Sequence, residues 1–185
     1  MVDYNAIINE YYTAGSELHS LLVEHSRQVA DLALALGRDL QRRGTDVALA
    51  FVEEAAMLHD IGIFLTDAPG IHCHGTEPYI RHGLLGAELL RGKGLERHAR
   101  VCERHTGAGI TIDDIMSQHL PLPERDFTPE TVEEKLVCYA DKFFSKSHPE
   151  RRKTLEQARR SLLKFGHATV DRFDALHRLL ATTKQ

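Results

Sequence analysis

From Ser16 to Arg43 an apolar residue returns every three or four positions: Leu18, Leu22, Val29, Leu32, Leu36 and Leu40, with His25 set among them. That spacing puts one apolar stripe on a helix of 3.6 residues per turn. A helix this long with one apolar face must bury it against other helices or a sheet. No run of alternating β-branched residues offers a sheet. Helical periodicity recurs instead, predicting helices over about 3–12, 16–43, 47–60, 79–91, 95–105, 112–118, 130–146, 150–165 and 168–182. Ser16 is the expected cap of the second helix, Asp46 of the third and Thr111 of the sixth. Residues 61–77 and 119–129 read as loops, punctuated by glycine and proline. The expectation is an all-α chain, a single domain over 1–185.

The 185 residues suffice for a full core. With a net charge of −4, nucleic acid and anionic membrane are not expected as standing partners. No apolar run reaches the roughly 18 to 20 residues of a membrane span. The N-terminal stretch has neither the basic nor the apolar region of a secretory leader. Cys73, Cys102 and Cys138 are odd in number and widely spaced, so neither a disulfide framework nor a CxxC zinc site is expected. A reducing cytoplasm is the simplest setting.

The chain holds twelve histidines, well above ordinary usage, and their positions matter more than their number. His25 lies within the apolar stripe. His59 continues Val52, Ala55 and Ala56; His82 shares a face with Leu85, Gly86 and Leu89; His105 follows Leu95, Ala99 and Cys102. Asp141 shares a face with Val137, Ala140 and Phe144. Each polar group faces a core. One such histidine is usually a satisfied core residue. Several helices each delivering one is harder to explain that way, and a buried carboxylate costs several kcal/mol unless paired or metal-bound. With Asp60 beside His59, the set is a divalent-metal cage by ligand type.

The order of these residues, each on its own helix, resembles the HD-domain superfamily of metal-dependent phosphohydrolases. HSRQVADLALALG resembles its first-histidine helix, AAMLHDIGIF its defining dyad and EEKLVCYADKF its last aspartate helix, so the likeness covers about 16–146, with 150–182 as further C-terminal helices. His82 in RHGLLGAELLR and His105 in CERHTGAGI resemble the extra histidines of the binuclear branch. No GYP motif follows, which disfavours the cyclic-di-GMP subgroup. The resemblance implies an HD-domain helical bundle with a metal site in its core. It implies one metal on His25, His59, Asp60 and Asp141, and a second on Asp60, His82 and His105. The cofactor is one or two divalent ions, with iron, manganese, cobalt, nickel, zinc and magnesium all open. Gly62 is expected to let the chain turn away after the dyad.

Such a cage supports hydrolysis of a phosphate ester or anhydride through a metal-bound hydroxide. The expected partner is a small phosphorylated molecule, a nucleotide first among them. No Gly-x-Ser-x-Gly elbow or P-loop competes with that reading. Besides Asp60, the expected catalytic residues are Lys142, Arg104 and Arg81, each next to a proposed ligand, with Lys142 the strongest for phosphate contact. Two alternatives stay open: an HD-type diiron oxygenase cleaving a C–C or C–P bond, and a nucleotide-sensing module without turnover. His72, His74 and His119 lie in loops where substrate contact, access or plain structure are all open. His19, His98, His148, His167 and His177 are expected at the surface, and the helical termini could pair in a homodimer.

Overall fold

The computed structural model describes residues 1–181. Its helices are α1 (Tyr4–Tyr11), α2 (Glu17–Arg42), α3 (Leu49–Leu58), α4 (His82–Gly92), α5 (Glu96–Arg104), α6 (Ile112–Gln118), α7 (Val132–Asp141), α8 (Leu155–Leu162) and α9 (His167–Leu180). The expected last helix ended at 182, a position outside the described residues. Among the described residues the fold is all-α apart from two strands of two residues each, β1 (Asp67–Ala68) and β2 (Cys73–His74).

The long stripe makes α2 the organising element. Ser16 caps it, its Oγ accepting from the His19 N–H at 3.2 Å. The buried face runs Leu22, His25, Val29, Ala33, Gly37 and Leu40, while Leu32 and Leu36 flank it half-buried. Its small residues let α3 and α7 pack closely; a Cβ on Gly37 would lie 2.8 Å from Leu49 Cδ2. α4 packs on α5, and one apolar core draws residues from every helix but α6. A second, smaller cluster of Leu84, Ile110, Ile115 and Phe127 seats α6 and the loop after it.

Four local expectations are corrected. Asp46 is exposed and does not cap α3; the Ala48 N–H donates instead to Glu133 Oε1 of α7 at 3.2 Å, because Val47 is drawn into the core. The loop 61–77 contains the β1–β2 pair, with Ala68 opposite Cys73 and a 3-10 turn, Pro69–Ile71, between them. α7 stops at Asp141 rather than 146: Lys142, Phe143 and Phe144 donate to carbonyls three residues back, tightening the chain into a turn. Residues 150–154 are not helical, since Thr154 and Gln157 form a capping box that starts α8 at Leu155.

Among the described residues no helix is long and apolar enough to cross a membrane. His98, expected at the surface, is buried, its Nε2 3.2 Å from Glu54 Oε2 and its ring edge-on to Phe51. His177 is half-buried and hydrogen-bonds Tyr139 Oη at 2.6 Å.

Candidate metal centre

Six side chains from five helix segments meet in the core. His25 comes from the middle of α2, His59 and Asp60 from just beyond α3, and His82 from the start of α4. His105 directly follows α5, and Asp141 is the last residue of α7. All six are buried, Asp60 and His59 completely.

Three of the four histidines share a local device. The Nδ1 of His59 lies 2.6 Å from the Ala56 carbonyl, that of His82 2.6 Å from Tyr79 O, and that of His105 2.6 Å from Cys102 O. Each histidine stands at the end of a helical turn, so its ring reaches back to the carbonyl three residues before it; that of Tyr79 also accepts the His82 N–H. A carbonyl can only accept, so each Nδ1 carries a proton, and in the neutral ring Nε2 presents a lone pair inward. This explains why a run of apolar residues ends in a histidine: the helix end fixes the tautomer.

The inward nitrogens divide into two groups around one carboxylate. Asp60 Oδ2 lies 3.2 Å from His25 Nε2 and 3.1 Å from His59 Nε2. Asp141 Oδ1 closes that group at 3.0 Å from His25 Nε2 and 3.6 Å from His59 Nε2. Asp60 Oδ1 faces the other way, 3.4 Å from both His82 Nε2 and His105 Nε2. Within each group the donor atoms lie within 4.8 Å of one another.

The polar chemistry of the cluster fits cations. His82 Nε2 and His105 Nε2 lie 3.0 Å apart, although both rings carry their proton on the other nitrogen. Burial holds the His82 imidazole down at about 3 and also lowers His105, so protonation does not relieve that meeting of lone pairs. Among the described residues His59 Nε2 and Asp60 Oδ1 have no hydrogen-bond partner. Burial pulls His59 down, but Asp60 and Asp141 outweigh it and hold the ring up at about 9, so without a cation its Nε2 takes a proton, in the place a metal would occupy. A converging set of imidazole nitrogens and carboxylate oxygens is what a divalent ion satisfies.

A lysine absent from the sequence expectations completes the site. Lys146 Nζ lies 2.5 Å from Asp60 Oδ2, carried there by the turn after α7. Burial opposes both charges, yet each stabilises the other: Asp60 raises the Lys146 pKa, and Lys146 is the largest influence lowering that of Asp60. Lys142 Nζ lies 2.6 Å from Asp141 Oδ2. The available signal was a second lysine in the same motif, ADKFFSK, obscured by the expectation of continuous helix.

Arg81 and Arg104 do not come to the centre. Arg81 pairs with Glu77; Arg104 NH1 reaches Glu130 Oε1 at 2.8 Å and Glu134 Oε2 at 3.3 Å. Adjacent helical residues diverge by about 100°, so neighbours of inward histidines turn into the surrounding ion-pair network. His72 pairs with Glu17 at 3.3 Å, His74 is exposed, and His119 closes α6 in the left-handed region, its Nδ1 facing Met116 O at 2.9 Å.

The centre opens into a cleft of about 520 Å³. His82, His105 and Asp141 form its inner wall, and Lys142, Lys146, Lys153 and Lys164 also line it. The packing of α4 beside the centre depends on Gly62. At φ −89° and ψ 0° the turn itself does not require glycine, but the close approach of α4 does. A Cβ there would collide with Gly86 N and His82 O. Gly62→Ala is expected to destabilise the protein by about 2–3 kcal/mol, and to loosen metal at His82 before the other group. Denaturant melts and metal content per chain check both expectations.

An all-helical core holding a shared-aspartate His/Asp cluster defines a class of metal-binding proteins, and the comparisons place the chain within it. Residues 22–145 match the HD domain. The chain therefore belongs to the HD-domain superfamily of metal-dependent phosphohydrolases, whose members bind divalent metals. It is 40% identical over 121 residues to an uncharacterized protein of Methanocaldococcus jannaschii, covering 65% of this chain and 64% of the relative. It is 32% identical over 163 residues to the tRNA (cytidine(56)-2'-O)-methyltransferase of Thermoplasma volcanium, covering 87% of this chain and 42% of that protein. The enzyme of the same name from Picrophilus torridus is 43% identical over 95 residues, 51% of this chain and 24% of that protein. The matches thus span less than two thirds of each relative. No solved structure matches the chain.

Proposed function

We propose that the chain hydrolyses a phosphate ester or anhydride of a small molecule, a nucleotide first among the candidates. The observation that carries this reading is that the two ligand groups, joined on Asp60, reach the wall of a lysine-lined cleft through His82, His105 and Asp141. Divalent ions held there would polarise a phosphoryl oxygen and acidify a water at neutral pH. His25, His59 and Asp141 hold one group, His82 and His105 the other, and Asp60 joins them. Lys142 and Lys146 present ammonium groups toward the oxygens of a phosphoryl group seated in the cleft. In the reaction a water oxygen joins phosphorus, the P–O bond to the leaving group breaks, and the leaving oxygen gains a proton.

The names of two relatives favour a second reading, in which the phosphate belongs to tRNA. The net charge of −4 and a cleft of about 520 Å³, within the small-molecule range, weigh toward the first. The test is phosphate release by the full chain with Mn²⁺, Fe²⁺, Co²⁺ or Ni²⁺, offered aryl phosphates, nucleotides and tRNA in parallel. Metal-dependent turnover of small phosphates, stopped by chelator, is expected. Turnover of tRNA alone would establish the second reading. Dioxygen consumption without phosphate release, or tight nucleotide binding without turnover, would overturn both.

A further inference from the structure

The cleft concentrates positive charge in a chain that is acidic overall. It contains four lysines and one carboxylate, the ligand Asp141, whereas the whole sequence has 23 basic and 27 acidic residues. The lysines fall into two pairs. Lys142 and Lys146 lie against the ligand carboxylates. Among the described residues, Lys153 and Lys164 have no carboxylate within 4.0 Å.

Each is placed at the cleft by a local contact, Lys153 half-buried and Lys164 exposed. The Lys153 N–H donates to Phe143 O at 2.8 Å, which ties the segment before α8 to the turn carrying Lys142 and Lys146. Lys164 sits in the 3-10 turn Leu163–Phe165, its Nζ 4.8 Å from the centre of the Phe165 ring. Lys153 is half-buried, and burial together with Lys142, Lys164 and Lys146 lowers its pKa against the opposing pull of Asp141. A half-buried ammonium without an anion is costly unless a ligand supplies one. The cleft is also far larger than one phosphoryl group at the metal centre needs.

Resting on the phosphohydrolase reading, we propose that Lys153 and Lys164 form a subsite for a second, non-reacting phosphate, so that the substrate is an oligophosphate rather than a monophosphate. Lys142 and Lys146 then serve the phosphoryl group at the metal centre, and the second pair holds the chain beyond it.

The test is calorimetric binding of tripolyphosphate and of orthophosphate to the full chain as purified, at fixed ionic strength, with metal content checked afterwards. Wild type is expected to bind tripolyphosphate at least tenfold more tightly than orthophosphate. Lys153→Gln/Lys164→Gln is expected to weaken tripolyphosphate by roughly tenfold, the effect of losing two partly exposed ion pairs, and orthophosphate by less than twofold. The charge-keeping pair Lys153→Arg/Lys164→Arg is expected to retain tight binding, which separates lost charge from lost folding. Equal weakening of both anions, or of neither, overturns the subsite. The two readings fail separately. Tripolyphosphate binding without hydrolysis of any phosphate compound would sink the function and leave the subsite. Aryl phosphate turnover with no preference for tripolyphosphate would do the reverse.

Discussion

Asp60→Asn is expected to strip metal from both ligand groups at once and to lower phosphate turnover by about a thousandfold or more. The two oxygens of this fully buried carboxylate face different histidine pairs, Oδ2 toward His25 and His59 and Oδ1 toward His82 and His105. Asparagine keeps the shape but removes the charge that both groups share. Its amide N–H groups can donate to the inward imidazole nitrogens, so the metal-free variant should still fold. Asp141→Asn is the contrasting case, because Asp141 touches only His25 and His59 in the cluster. It should spare metal at His82 and His105. Metal content by plasma mass spectrometry, measured beside turnover and a thermal melt, checks the pair. An Asp60→Asn protein that kept two ions would show that the carboxylate does not bridge.

The helical skeleton was legible because long amphipathic repeats leave little choice. The α2 stripe and its Ser16 cap, and the Thr111 capping box that opens α6, are local features that tertiary packing did not override. What was not legible depended on contacts distant in sequence. Glu133, not Asp46, meets the start of α3 from 85 residues away. The β1–β2 pair has two residues per strand, too few for any period to show. His98 follows a charged stretch and looks superficial, but Glu54 provides its buried partner. The six-residue ligand set was readable by residue type and helical face. The sharing of Asp60 between two groups was an expectation too; what was not legible is the orientation of three of the rings, which rests on carbonyls three residues back. Lys146 was hidden for a related reason: only the turn that replaces the end of an expected helix brings it to Asp60.

The same tautomers make the protein's stability depend on metal. With Nδ1 of His82 and His105 committed to carbonyls and both rings kept neutral by burial, removing cations leaves their inward lone pairs facing Asp60 Oδ1 and each other, while His59 takes up a proton. Each buried polar group left without a partner costs about 1–3 kcal/mol. For a chain of this size, each kcal/mol moves the melting temperature by about 2–4 °C. Chelation is therefore expected to lower it by roughly 10 °C, and restoring Mn²⁺ or Fe²⁺ to recover it. His82→Ala/His105→Ala removes the facing nitrogens 3.0 Å apart and with them the second ligand group. That variant should bind one ion fewer per chain and show about half the chelator-induced shift, since His25, His59, Asp60 and Asp141 remain. Scanning calorimetry with and without chelator, alongside metal content, measures both quantities on the same samples. An unchanged metal count and an unchanged shift would assign His82 and His105 to a mononuclear site's surroundings, leaving their close approach as packing rather than ligation.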